Sequence, residues 1–204
     1  MKYGMAGILG LGIGIGNIIL MFLVQKKEKI LLFSAKRWYR EPAFWIILIG
    51  MAGAAVYLTW IFEEQSYIWG VEMLLCAYLL PLSWIDFRYQ ILPDFFHIIY
   101  GVIFFSYKLK WGSTYDFWNG VFAAACIFLF LGMVWLLKRE HFGLGDLKLL
   151  CVCSFLVGMP GILYLFFRGL IAAAFYGLIQ MGRRRANLKT EFPFVPFLLI
   201  GVLL

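Results

Sequence analysis

The chain has 204 residues, of which 64% are apolar, 20% aromatic and only 14% charged, and its mean hydropathy is +0.88; soluble domains carry roughly 25% charged residues, which argues against a water-soluble globular fold. The net charge of +7 would suit nucleic acid or anionic lipid, but the basic residues fall between apolar runs, as in the cytoplasmic loops of membrane proteins, so no nucleic-acid partner is expected. Cys76, Cys126, Cys151 and Cys153 all sit inside apolar runs, with no CxxC or zinc-like spacing, so neither a metal nor a cofactor is expected.

Eight apolar segments follow one another, at about 4–24, 43–62, 67–85, 92–107, 117–137, 147–159, 161–181 and 192–204. A bilayer crossing takes roughly 20 apolar residues, so the expected fold is all-α, a polytopic integral membrane protein with about eight transmembrane helices. The runs are continuous rather than alternating, which sets aside a transmembrane β-barrel. Segment one is not read as a cleavable signal, because no small-residue cleavage site precedes the charged stretch after it. Its glycines, LGLGIGIGN at 9–17, sit in an apolar run without the βαβ setting of a nucleotide loop. Small residues at regular spacing there predict helix–helix packing. The loop 25–42 is the longest and too short to bury a core, so residues 1–204 are read as one membrane domain.

That loop carries Lys26, Lys27, Lys29, Lys36, Arg37 and Arg40. With Arg88, the loop 138–148 and the loop 182–191, it places 14 of the 18 basic residues on alternate connections. The opposite side has Lys2, Lys108 and Lys110, with Glu63, Glu64 and Asp116. The positive-inside rule puts the basic loops in the cytoplasm and both termini outside. Tryptophans and tyrosines such as Trp60, Trp69, Trp111 and Trp118 gather at segment ends, as interfacial belts do. Segment six is short: Asp146 to Gly158 spans ~20 Å of helix against a hydrocarbon core of ~30 Å. Segment eight is equally short.

Ionisable residues in or beside membrane segments are costly and mark functional candidates. Glu72 is expected to snorkel or pair near the outer interface, and Glu140 to be a solvated partner of Lys138 or Arg139. Arg168, mid-way along segment seven, must face protein or water, towards Glu72 or Asp116. His97 is expected to be a structural hydrogen-bonder, and His141 to belong to a loop. Asp86 ends segment three and Asp146 begins segment six, so both lie at the cytoplasmic side although 60 residues apart. Two carboxylates in a partly desolvated site share a proton and supply an acid and a base together, the chemistry of an aspartic protease. The alternative is that each only caps or ends a helix, which suits Asp146 and Asp94 equally well. Gly143 and Gly145, just before Asp146, open the backbone to unusual conformations and to close approach of another chain. Lys148 either anchors this stretch at the interface or biases the pair towards ionisation.

FGLGDLKLL at 142–150 resembles the GxGD motif of the type IV prepilin peptidases, G-x-G-D-x-K-L. IDFRYQILPD at 85–94 is similar to the family's other acidic motif, and FPFVPFLLIG at 192–201 resembles its C-terminal P-[FY]-G-P-F-L-x-x-G, with Val195 in place of Gly. GIGIGN with Asn17 faintly resembles G-S-F-x-N. The resemblance implies a GxGD-type membrane aspartic endopeptidase of the cytoplasmic (inner) membrane, cutting type IV prepilin or pseudopilin precursors after a basic leader. It implies catalytic roles for Asp86 and Asp146 and supporting roles for Asp94, Gly143, Gly145 and Lys148. Members that also methylate the new N-terminus often carry paired CxxC motifs in a large cytoplasmic region after the first span. The loop 25–42 has neither Cys nor His, so a short form without methyltransferase activity is expected. The competing readings are a proton or cation carrier using the same carboxylates, and a leader peptidase for another secreted substrate.

Overall fold

Backbone N–H and C=O groups have no water to bond in lipid, so long apolar runs are forced into helices or closed barrels. In the computed structural model, which describes residues 2–28, 42–61, 66–137, 143–182 and 193–203, every regular element is an α-helix. They are α1 (Lys2–Glu28), α2 (Pro42–Ile61), α3 (Ser66–Tyr89), α4 (Asp94–Trp111), α5 (Thr114–Leu137), α6 (Leu144–Gly182) and α7 (Val195–Leu203). Five of them, α1, α2, α3, α5 and α6, are long and apolar enough to cross a membrane. The chain is an all-α, multi-pass membrane protein. Most of the basic loop residues, with Glu63, Glu64, Glu140 and His141, lie outside the described residues.

Eight expected segments meet seven helices because segments six and seven run together as α6, broken at Gly158 with φ 76° and ψ 179°. A left-handed φ is open to glycine at little cost, and Pro160, two residues on, has no N–H to continue the ladder. Asn119 of α5 repairs the break, its Oδ1 accepting from the Met159 N–H at 3.3 Å. A side chain at Gly158 has no room, since its Cβ would stand 2.5 Å from Asn119 Nδ2. The expected eighth span is shorter than predicted: α7 has nine residues, ~14 Å of helix, well under a bilayer core.

The connection between α4 and α5 is also tighter than its charges suggested. It shrinks to Gly112 and Ser113, and Lys108 and Asp116 become helical. Ser113 caps α5: its Oγ accepts from the Asp116 N–H at 3.1 Å and donates to Asp116 Oδ2 at 2.6 Å, a reciprocal cap that satisfies free helix-end groups.

The bundle is built around α3, whose apolar window is 72% buried against 17% for α5. Tyr78, Leu79, Leu82 and Ile85 are fully enclosed on it. Asn17 of α1 ties three helices together, donating to the Ala77 carbonyl at 2.8 Å and accepting from the Tyr100 hydroxyl. Of the glycines at 9–17 in α1, Gly10 and Gly14 pack closely on α2, whereas Gly12 and Gly16 face open space. A Cβ on Gly10 would meet the Met51 carbonyl at 2.5 Å and Ala52 Cα at 2.8 Å, whereas one on Gly12 meets nothing within 4 Å.

Gly10→Ala is therefore expected to cost about 1–3 kcal/mol of stability, the usual cost of overpacking a close contact, and Gly12→Ala almost nothing. Thermal unfolding in detergent micelles measures the difference; equal shifts for the two variants would mean that α1 and α2 do not meet at Gly10.

Candidate active site at the ends of α3 and α6

Asp86 lies in the last turn of α3, 7% exposed. The helix stops just beyond it: Gln90 takes a left-handed φ of 53° and its N–H donates to the Asp86 carbonyl at 2.9 Å. The carboxylate meets the start of α7. Its Oδ2 accepts from the Val195 N–H at 3.0 Å. The first N–H groups of a helix have no partner within it, and they form a natural seat for an anion. Phe194 closes the first turn of α7, its carbonyl accepting from the Phe197 N–H at 3.1 Å. Pro196, inside that turn, lacks an N–H that would otherwise need a partner.

Asp146 sits in the first turn of α6, half-buried. Its carboxylate folds back over the start of the helix, with Oδ2 3.3 Å from the place a Cβ on Gly143 would occupy. The charge of Asp86 acts on it directly. The two acids that the sequence suggested as a pair thus lie within electrostatic reach of each other, one in the last turn of α3 and the other in the first turn of α6.

The supporting residues left alternatives open, and the structure gives each of three a local partner. Among the described glycines only Gly158 has a positive φ, so Gly143 and Gly145 are not needed for an unusual backbone. Gly145 instead makes room for Leu92, whose Cβ would be 3.0 Å from a Cβ there. The close neighbour is the chain's own α3–α4 connection rather than open space. Lys148 pairs with Asp94, Nζ to Oδ1 2.7 Å, with side chains 43% and 62% exposed. It thus joins the first turns of α6 and α4 rather than facing the acid pair. An exposed pair of this kind contributes about 0–1 kcal/mol. His97 is the structural residue expected, its Nδ1 bonded to the Tyr78 hydroxyl.

The sequence profile of the type IV leader peptidase family matches residues 73–178, a stretch that contains Asp86, Asp94 and the whole GLGDLK turn. The chain belongs to the type IV leader peptidase family. Proteins named prepilin leader peptidase/N-methyltransferase, from two strains of Burkholderia pseudomallei, are each 33% identical over 133 residues, covering 62% of this chain and 42% of theirs. One of the same name from Bacillus subtilis is 28% identical over 120 residues, covering 58% of this chain and 48% of its own. The matched region thus spans less than half the length of these relatives. No solved structure matches the chain.

The contact with Asp86 gives the C-terminal motif a physical sense that sequence reading had not assigned. Val195 supplies its backbone N–H to Asp86, a contact that does not depend on the residue's side chain, which is fully buried. Only the F-P-F-V-P signal was visible beforehand; its partner, more than a hundred residues away, was not.

Gly145→Val should push α6 away from Leu92 and lower stability by about 1–3 kcal/mol, and Leu92→Ala should restore part of the loss. Unfolding midpoints of the two single variants and the double variant test this; strictly additive effects would show that the contact is not made.

Proposed function

We propose that the protein is a membrane aspartic endopeptidase that removes the basic leader of type IV prepilins or pseudopilins at the cytoplasmic face of the inner membrane. The observation that supports this reading is that Asp146, in the first turn of α6, lies within electrostatic reach of Asp86 in the last turn of α3. Two carboxylates at one site titrate as a unit and hold one proton between them. Asp86, whose carboxylate accepts the Val195 backbone N–H at the start of α7, is the better seat for the charge, so it serves as the base and Asp146 carries the proton. Asp86 takes a proton from a water whose oxygen bonds to the scissile carbonyl carbon. Asp146 donates a hydrogen bond to the carbonyl oxygen, and the proton gained at Asp86 passes to the departing amine.

Three features support the details. The basic loops at 25–42, 138–148 and 182–191 lie on the sequence connections at the acid-bearing helix ends, as cytoplasmic loops do. The first turn of α6 leaves Gly143 and Leu144 exposed beside Asp146, where an extended substrate backbone can approach. Carboxylates at one end of the bundle suit a surface-facing peptidase better than a carrier, whose sites lie near the bilayer midplane. N-methylation is not part of the proposal: the 25–42 loop offers no Cys or His for a zinc site.

Co-expression with a prepilin tests the proposal. Asp86→Asn and Asp146→Asn should each slow leader removal on the order of a thousandfold or more, as loss of a reacting group does. Maturation at the wild-type rate in either variant would overturn it. Incubation with S-adenosylmethionine should leave the new N-terminus unmethylated; a methylated product would refute the peptidase-only part.

A further inference from the structure

The other end of the bundle carries a second polar site. Glu72 lies two turns into α3, about 21 Å along the helix from Asp86 at 1.5 Å per residue. It lines a cavity of about 310 Å³ together with Lys108, Asp116, Asn119, Tyr164 and Arg168, drawn from α3, α4, α5 and α6. The sequence suggested Glu72 or Asp116 as the partner of Arg168, and all three face this one space. Ionisable residues at such a depth in a membrane protein face a protein-lined polar space and mark sites of function.

The charges are unequal in what they have left to offer. Asp116 is held by Ser113, its Oδ2 taking the hydroxyl at 2.6 Å and the N–H at 3.2 Å, and its charge acts on Lys108. Lys108, 2% exposed, gives one N–H to the Asp116 carbonyl at 2.7 Å and lies over the Phe155 ring, 5.4 Å from its centre. An ammonium has three donors, so one bond to a carbonyl leaves it capacity. Arg168 is exposed and its charge acts on Glu72. Lys108, Arg168 and Glu72 are thus the groups with hydrogen-bonding capacity to turn towards a ligand in this space, with Arg168 and Glu72 within electrostatic reach of each other.

The cavity leads into an apolar groove of about 790 Å³, sharing Asn119 and Tyr164 with it. Trp118, Phe122, Leu163 and Phe167 line this groove, and all four are exposed, on the outward side of α5 and the second leg of α6. A chamber that takes charge and opens into a slot that takes hydrocarbon has the shape of an amphiphile.

We infer that the chamber and groove bind a phospholipid with an ethanolamine headgroup. Arg168 and the free N–H groups of Lys108 hold the phosphate, as guanidinium and ammonium groups do. Glu72 takes the ammonium, and one acyl chain lies across Phe122, Leu163 and Phe167. Glu72 sets the selectivity: a glycerol headgroup brings no charge to it, and a trimethylammonium brings charge without an N–H to donate. The site shares no residue with the acid pair, so binding is read without reference to peptide cleavage.

The test is a native mass-spectrometric titration of the full chain, delipidated in detergent, with phosphatidylethanolamine, phosphatidylglycerol and phosphatidylcholine of identical acyl chains. Phosphatidylethanolamine should bind about tenfold tighter than the other two, the ratio one charge-assisted hydrogen bond sets. Glu72→Gln should bring that ratio close to one. Leu163→Trp, which fills the groove, should weaken phosphatidylethanolamine binding, and glycerophosphoethanolamine, a headgroup without chains, should bind far more weakly than the lipid. Each ratio is taken within one protein, and the wild-type comparisons need no variant, so a folding defect cannot imitate the result. Equal wild-type affinity for the three lipids, a ratio unchanged in Glu72→Gln, or headgroup binding as tight as the lipid's would overturn the inference.

Discussion

A carboxylate that is 7% exposed at the end of the most buried helix needs donors, because an unpaired charge out of water is costly. Asp86 finds one in the Val195 backbone N–H at the start of α7. Much of the architecture at this end of the bundle follows from that contact. It brings α7 against α3 and makes the start of that helix part of the candidate site. Gly201 and Gly169 then let α7 lie against the second leg of α6, where a Cβ on Gly201 would meet the Leu165 carbonyl at 2.9 Å. The same α6 carries Asp146 at its other end, so the helix that supports the donor is continuous with the helix that supplies the second acid.

The break at Gly158 has its place in this scheme. A 39-residue helix would run ~58 Å if straight, far beyond a hydrocarbon core. The break divides α6 into a short leg with Asp146 at its start and a longer leg that packs on α7 and carries Arg168. Asn119, which repairs the break, also lines the polar cavity. The two ends of the molecule are therefore joined through one interrupted helix, with the acid pair on one side and the charged chamber on the other.

Much of this was legible in the residues because the underlying physics is local. Apolar runs too long for anything but membrane helices gave the fold class, and carboxylates at the ends of such runs stood out because charge there is costly. GLGD and ILPD carried the family resemblance on a handful of positions. Other features depended on partners that no local pattern reveals. Lys108 looked like a loop residue because it stands among charges, yet its helix continues and a carbonyl of the next helix takes its ammonium. Lys148 could have anchored its stretch or modulated Asp146, two residues away, and its ammonium is taken by Asp94, 54 residues away. Gly145 suggested backbone freedom, whereas its purpose is space for Leu92.

The central claim is that Asp86 and Asp146 face one another across α3 and α6. Chemical crosslinking in native membranes tests this most directly. Asp86→Cys and Asp146→Cys would be combined in a chain whose own four cysteines are replaced, with a specific protease site inserted in the 138–142 connection. A short bifunctional thiol reagent should keep the two halves joined after proteolysis, and a control pair of Asp86→Cys with Arg168→Cys should let them separate. Separation of the Asp86–Asp146 pair under the same conditions would contradict a shared site.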